Sequence, residues 1–214
     1  STMQTTIEEL DRISGIINNL LSIDSLVRPG NIKVEPLLLR DIANAVVRRH
    51  IEMAKRYGIS IAVDAAQAPA YVMGNAVALE QAVTNLVKNA LNYTPQHEGR
   101  SVIVRIDDKG DTVSLSVIDM GIGIAQKDLF NIFQPFYRGD TSRERGIGSG
   151  TSGLGLAIVN DIVRAHDGHI TIRSALNRGT TIELSFPKVV SPAELEGAQS
   201  EWPEEADEYE ERIA

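Results

Sequence analysis

Two pairs of strand-forming segments, each pair joined by a short polar turn, constrain the fold of this chain more than any other feature. "SVIVRID" and "TVSLSVID" flank the turn "DKGD", and "HITIRSA" and "TTIELSFP" flank the turn "LNRG". Such pairs form antiparallel hairpins. Helical segments fall between them without the regular alternation of a Rossmann fold. This order predicts an α/β (α+β) two-layer sandwich, with a mixed sheet and helices on one face.

Three segments carry the apolar period of helices that pack on such a sheet. These helices are expected at residues 38–57, between Asn75 and Pro95 with apolar positions at 79–90, and at residues 154–165. Short strands are expected at 32–36 and 59–63. Asn75 precedes the middle helix, and its side chain is suited to cap the first N–H groups of that helix.

Residues 3–27 carry a separate helical stripe, in which apolar side chains recur at the three- and four-residue spacing of a bundle helix. The following "RPGN" interrupts this helix. We therefore divide the chain into a bundle helix at 1–27, a linker at 28–36, a globular body at 37–188 and an acidic tail at 189–214.

The acidic charge of the protein is concentrated near its end. The 214 residues contain 21 Lys and Arg and 29 Asp and Glu, a net charge of −8. Nine of the acids and one of the bases follow residue 190, so the first 190 residues contain 20 of each. A neutral body argues against binding nucleic acid through a basic surface. The tail is typical of a solvated extension that need not fold.

Composition also excludes several classes of protein. The absence of cysteine excludes a disulfide scaffold, a Cys-type zinc site and a cysteine nucleophile. No apolar run reaches about 18 residues, so no segment is expected to span a membrane. The first residues are polar and acidic, unlike a signal peptide.

The segment "NLVKNALNY" places two amides on one helical face. Asn85 and Asn89 are four residues apart, a spacing that brings side chains together on a helix. Amide oxygens are suitable ligands for Mg²⁺, which usually keeps water and phosphate oxygens as well. The alternative is a surface asparagine followed by one that caps the helix end.

The segment "DMGIGI" directly follows a predicted strand. Asp119 can accept a hydrogen bond from an exocyclic amine such as that of adenine. Gly121 and Gly123 allow a planar ring to come close to the backbone. The alternative is an ordinary glycine-rich turn.

The segment "GSGTSGLGLAIV" at 148–159 leads from glycines straight into a helix. Exposed N–H groups and the dipole at such a helix start favour phosphate. The segment matches neither a P-loop nor a GxGxxG motif after a strand. A flexible loop before a helix is the alternative for this segment alone, but three such segments in this order favour a nucleotide site.

With these motifs in order, the sequence resembles the catalytic, ATP-binding domain of sensor histidine kinases, from the superfamily that includes gyrase, the Hsp90 chaperone and MutL. "NLVKNALNYTP" resembles the N box, "DMGIGI" the first glycine box and "LFNIFQPFYRG" the phenylalanine box. "GTSGLGLAIV" resembles the second glycine box and "GTTIELSFP" the final one. Residues 3–27 resemble the second helix of the dimerisation and histidine-phosphotransfer domain. The resemblance implies a Bergerat-type ATP-binding fold for residues 37–188.

The resemblance implies roles for particular residues. Asn89 would bind the Mg²⁺ that bridges the ATP phosphates, and Asp119 would read the adenine amine. Residues 121–152 would form a mobile lid over ATP. The complete set of implied ATP-binding residues is Asn85, Asn89, Tyr93, Asp119, Gly121, Gly123, Arg138, Gly153, Leu154, Gly155 and Thr181. Asn85 and Asn89 are the implied catalytic residues, and Thr181 would lie near the adenine.

The sequence departs from the family pattern at several positions. Asn92 stands where a basic residue is frequent, Thr151 where glycine is frequent, and Asn75 where aspartate is frequent. Hydrolytic members of the superfamily carry a glutamate one turn before the Mg²⁺-binding asparagine, and Asn85 occupies that position. This favours transfer to a protein side chain over hydrolysis of ATP.

The phosphate acceptor is not evident in this chain. The four histidines are His50, His97, His166 and His169, and none lies in the His-Glu/Asp-x-x-x-Pro setting of the family. We therefore expect the acceptor histidine on a phosphotransfer helix outside these 214 residues, and we expect the chain alone not to phosphorylate itself.

The implied function is transfer of the ATP γ-phosphate to that histidine within a homodimer, for relay to a response regulator. ATP and Mg²⁺ are the implied cofactors. The implied location is cytoplasmic, either free or as the cytoplasmic part of a membrane-anchored sensor, with no contact to nucleic acid or membrane. Two alternatives stay open: a nucleotide-binding regulatory module without transfer activity, and a related Ser/Thr anti-sigma-factor kinase.

Overall fold

Seven strands and three helices form the described part of the chain. The computed structural model describes residues 33–65, 69–137 and 153–191. The elements in chain order are β1 Glu35–Leu38, α1 Leu39–Arg56, β2 Ile59–Ala65, β3 Tyr71–Gly74, α2 Ala76–Tyr93, β4 Arg100–Asp108, β5 Thr112–Asp119, α3 Gly155–Ala165, β6 His169–Ser174 and β7 Thr180–Val189. The predicted bundle helix at 3–27, residues 138–152 of the predicted lid, and the acidic tail beyond Ser191 lie outside the described residues.

The strands form one mixed sheet in the order β1-β3-β7-β5-β4-β2, and β6 pairs with β7 beside this path. Strands β2 and β4 are parallel, and every other pair of described strands is antiparallel. Both predicted hairpins are present, as β4–β5 and β6–β7. The predicted mixed sheet with packed helices is confirmed.

The core lies between the helices and one face of the sheet. Because side chains alternate across a strand, Val113, Leu115 and Val117 of β5 all face this core. Leu184 and Phe186 of the neighbouring strand β7 lie beside them in register. Serine, threonine and glutamate side chains alternate with these core residues along β5 and β7, on the opposite face. The sheet is therefore two-sided, as the alternation in the sequence predicts.

Two strands differ from the prediction. Strand β1 covers Glu35–Leu38 rather than 32–36, so it begins inside the predicted linker. Strand β3, Tyr71–Gly74, was missed because its sequence, YVMG, does not alternate between apolar and polar residues. Its position is fixed by pairing with β1 on one side and β7 on the other, which are contacts distant in sequence.

The ends of two helices determine where polar groups are exposed. Helix α2 begins as predicted, because the Ala78 N–H donates to Asn75 Oδ1 at 2.9 Å. Helix α3 begins after Leu154 without a side-chain cap, which leaves its start suited to an anionic ligand. Among the described residues, no helix combines the length and apolar character needed to cross a membrane.

Candidate nucleotide-binding site

A cavity of about 130 Å³ lies between α2, the end of β5, the loop that follows it and the start of β7. An apolar cavity of roughly 150 Å³ is large enough to hold benzene, so this one suits a planar aromatic ring. Its walls are mainly aliphatic. The polar residues that line it are Asn89, Tyr93, Asp119, Asp128, Tyr137 and Thr180. An apolar pocket with a few polar groups is typical of small-molecule sites.

Asp119 presents a carboxylate to this cavity from the end of β5. The N–H groups of Gly121 and Thr180 donate to its Oδ1 at 2.8 and 3.0 Å. Both of these bonds fall on Oδ1, so Oδ2 is the oxygen suited to accept a hydrogen bond from a ligand. Burial raises the pKa of Asp119 to about 6, although both N–H bonds act in the opposite direction.

The glycines around Asp119 are required by close backbone packing. A Cβ on Gly121 would lie 2.6 Å from Asp119 Oδ1 and 2.8 Å from the Tyr93 carbonyl oxygen. Gly179, the first residue of the final glycine box but not among the implied ATP-binding residues, has a φ of +83°, and a Cβ there would lie 2.0 Å from the Asp119 carbonyl oxygen. This close packing holds the Asp119 carboxylate between the loop that follows β5 and the turn that joins β6 to β7.

Ser174 links the same two loops and was missed by sequence reasoning. Its hydroxyl donates to the Gly179 carbonyl at 3.0 Å and accepts from the Ile124 N–H at 2.8 Å. It also lies 2.8 Å from Thr180 Oγ1. Since the single hydroxyl proton of Ser174 is engaged, Thr180 donates in this last bond.

Thr180, rather than Thr181, lines the cavity. Thr180 pairs with Asp119 across β5 and β7, whereas Thr181 pairs with Ile118. Neighbouring residues of a strand point to opposite faces, so the side chain of Thr181 lies on the other side of the sheet. The expectation that Thr181 lies near the base is therefore off by one residue.

The asparagine pair lies against the start of α3. Asn85 Nδ2 donates to the Gly155 carbonyl at 3.4 Å. A Cβ on Gly155 would lie 3.8 Å from Asn85 Cγ and 3.9 Å from Asn89 Nδ2. Both amides are therefore next to the helix start that suits a phosphate, and Asn89 also lines the cavity.

The remaining predicted residues have different placements. Tyr93 lines the cavity, and its carbonyl accepts from the Ile122 N–H at 3.1 Å. Leu154 is buried in the core. Gly153, with a φ of +73°, packs against Phe136, whose N–H donates to the Gly153 carbonyl at 3.0 Å. The predicted phosphate contact Arg138 lies outside the described residues.

Asp128 and Tyr137 add a polar pair that the motifs did not predict. The Tyr137 hydroxyl donates to Asp128 Oδ1 at 2.8 Å, and both side chains line the cavity. Residues 125–134 form successive turns that bring the pair together. Tyr137 belongs to the phenylalanine box and could have been singled out from the sequence. Its partner Asp128 could not, because the turns bring the two residues together.

A magnesium ion fits this donor set. Within the described residues, no group of three or more acidic or histidine side chains is arranged to hold a metal by itself. Mg²⁺ usually binds one or two protein oxygens together with phosphates and water. One amide oxygen beside a phosphate site, as Asn89 provides, suits that chemistry.

Comparison with known proteins identifies the family. A family model described as "Histidine kinase-, DNA gyrase B-, and HSP90-like ATPase" matches residues 74–190. The sensor-like histidine kinase SenX3 of Mycobacterium tuberculosis is 36% identical over 70% of this chain and 35% of its own length. The sensor histidine kinase CpxA of Escherichia coli is 31% identical over 84% of this chain and 38% of its own.

Solved structures agree with this result. The mycobacterial sensor histidine kinase MprB is 27% identical, with a TM-score of 0.61 over 74% of this chain and 100% of that chain. The Acinetobacter baumannii histidine kinase AdeS shares the fold, with a TM-score of 0.67 at 19% identity over 86% of this chain and 83% of that chain. This chain spans 35% to 47% of the length of its SenX3 relatives. It belongs to the histidine kinase-, DNA gyrase B- and HSP90-like ATPase family, as a histidine kinase catalytic domain.

Proposed function

We propose that this chain is the ATP-binding catalytic core of a sensor histidine kinase, and that it transfers the γ-phosphate of ATP to a histidine outside these 214 residues. The observation that carries the proposal is that the apolar cavity and the start of α3 adjoin each other and form one site. The apolar cavity has the Asp119 carboxylate in one wall, while Asn89 in another wall lies beside the start of α3. The cavity therefore suits the base of a nucleotide, and the adjacent start of α3 suits its phosphates.

Each part of the nucleotide has a matching group. Asp119 Oδ2 accepts from the adenine amine, and the aliphatic walls cover the ring. The first turn of α3 receives phosphate oxygens through its N–H groups and dipole. Asn89 would hold Mg²⁺, which neutralises charge on the transferring phosphate when it is bound.

Asn85 supports transfer rather than hydrolysis. Its side chain is a neutral amide that donates to the Gly155 carbonyl. An amide does not take up a proton from water at neutral pH, so this position lacks a general base for hydrolysis. Phosphoryl transfer depends mainly on positioning and charge stabilisation, and an external side chain then serves as the acceptor.

The proposal extends to partners and location. The phosphohistidine would pass its phosphate to a response regulator. The complete protein would act as a homodimer with its catalytic core in the cytoplasm. The family match and the sensor kinase relatives support this assignment.

The test uses γ-labelled ATP and Mg²⁺. The chain is incubated alone, and together with the phosphotransfer helices of sensor kinases such as SenX3 as a separate acceptor. We expect label on the acceptor that is lost on an acid wash, and none on the chain alone. An acid-stable label would support the Ser/Thr kinase alternative. ATP binding without transfer to any acceptor would support the regulatory module.

A further inference from the structure

Both ring nitrogens of His166 have hydrogen-bond partners in the backbone. Nδ1 lies 2.7 Å from the Ile162 carbonyl, and the Asn75 N–H lies 3.0 Å from Nε2. The Ile162 carbonyl can only accept and the Asn75 N–H can only donate, so the ring must be neutral with its proton on Nδ1. His166 is 8% exposed, and its ring and the ring of Phe186 pack in a T-shaped arrangement.

The bond to Asn75 joins the ends of two helices. His166 follows the last residue of α3, and Asn75 caps the start of α2. At the other end of α3, Asn85 donates to the Gly155 carbonyl. The two helices are thus connected by two polar contacts, one near each end of α3.

The spans between these contacts match. Asn75 and Asn85 are ten residues apart, and Gly155 and His166 are eleven residues apart. At 1.5 Å of rise per residue, these distances are about 15 and 16.5 Å. Two antiparallel helices that are joined at both ends of such similar spans cannot slide past each other without breaking a contact. The axial position of α2 against α3 is therefore set by this pair of contacts.

We propose that His166 is a positioning residue for the nucleotide site, an inference that rests on the proposed function. It acts through Asn75 and α2 to hold Asn89 against the first turn of α3. Close packing makes the link stiff, since a Cβ on Gly74 would lie 3.0 Å from His166 Cδ2. A shift along the helix axis would separate the metal ligand from the phosphate site.

His50 provides a matched control. It is also 8% exposed, and its Nδ1 lies 2.8 Å from the Val46 carbonyl within α1. Within the described residues, its ring makes no hydrogen bond to another element. His50 and His166 therefore share burial and the bond within a helix, and they differ in the link to another helix.

The experiment compares leucine and glutamine variants at both positions. Leucine removes the acceptor, whereas the glutamine side chain can place an oxygen near the site of Nε2. We expect His166→Leu to weaken Mg·ATP binding about tenfold in calorimetry and His166→Gln to recover most of that loss. The His50 variants should bind as the unmodified protein does. Equal losses for the leucine and glutamine variants at position 166, or no loss in a folded His166→Leu, would overturn the proposal.

NMR provides a test that needs no nucleotide. The ¹⁵N shifts of His166 should show the proton on Nδ1, and the Asn85 and Asn89 side-chain amides should move in His166→Leu but not in His50→Leu. A proton on Nε2, or unmoved amide signals, would contradict the positioning role. Failure of the unmodified protein to bind ATP would instead refute the proposed function, and these amide signals would still decide the role of His166.

Discussion

At the scale of one residue, the burial that would suit Asp119 to bind adenine also lowers the stability of the fold. Its pKa rises from 3.8 to about 6 on burial, which corresponds to about 3 kcal/mol that opposes folding when the group is ionised. The folded state holds the proton more tightly than the unfolded state. The cost is therefore absent below about pH 4, grows as the pH rises toward 6 and is complete above it.

Asp119→Asn should stabilise the protein at neutral pH. The amide oxygen can still accept from Gly121 and Thr180, while the buried charge is removed. We expect a gain of about 1–3 kcal/mol at pH 7 and almost none near pH 4, measured by urea unfolding. The same variant should bind adenine nucleotides poorly, because an N–H group then faces the adenine amine. An equal gain at both pH values would contradict this account.

Binding of adenosine should release protons near pH 6. A donated hydrogen bond from the adenine amine favours the ionised carboxylate. At pH 6 about half of the Asp119 side chains are protonated before binding, so up to about half a proton leaves per ligand. Calorimetry in buffers of different ionisation enthalpy measures this release. Adenosine is chosen because it has no phosphate to titrate. A release that is unchanged at pH 8 would exclude Asp119 as its source.

At the scale of elements, the sequence predicts the helices and strands that are determined by local periodicity. The three helices and both hairpins follow from their apolar periods and turns, and Asn75 was identified as a cap from its position alone. Strand β3 depends on pairing with segments that are distant in sequence. The Asp128–Tyr137 pair spans only nine residues, but it depends on a series of turns that the motifs do not show. Thr180 and Thr181 differ by one position, and one position decides which face of a strand a side chain occupies.

Two glycine substitutions should separate fold from function. Gly121→Ala forces a Cβ against Asp119 and the Tyr93 carbonyl, so we expect a loss of both stability and nucleotide binding. Gly155→Ala meets atoms only at 3.8 Å or more. Its free energy of unfolding should change by less than about 1 kcal/mol, while affinity for ATP falls because the methyl group occupies space beside the asparagine pair. Thermal unfolding and calorimetry on the same samples give both values. If both variants lost stability and ATP affinity to the same extent, this distinction between a structural and a functional glycine would be refuted.

Asn89→Ala should reduce metal-dependent binding selectively. In the proposed function, the Asn89 amide oxygen would hold Mg²⁺, whereas the base would lie against Asp119 elsewhere in the cavity. The affinity for ADP with Mg²⁺ should fall more than the affinity measured in EDTA. Gln81→Ala, on the same helix but away from the cavity lining, is the control. Equal losses with and without metal would exclude Asn89 as the ligand.

At the scale of the whole molecule, the sheet, the core and the cavity all lie within residues 33–191. A chain of these residues should therefore fold and bind ATP with an affinity within about threefold of the full chain. Circular dichroism and calorimetry on both proteins provide the comparison. A shortened chain that is unfolded, or that binds ATP more than tenfold worse, would show that the flanking residues contribute to the site.

The central position of β7 has a consequence for how the protein is made. This strand pairs with β5, β6 and β3. The two parts of the sheet are therefore not joined until residues 180–189 have been synthesised. The Asp119 carboxylate likewise receives the Thr180 N–H from 61 residues further along the chain. Because ribosomes synthesise a protein from its N-terminus, all three described helices emerge before the strand that completes the sheet. The nascent chain therefore gains its ATP site only at the end of domain synthesis.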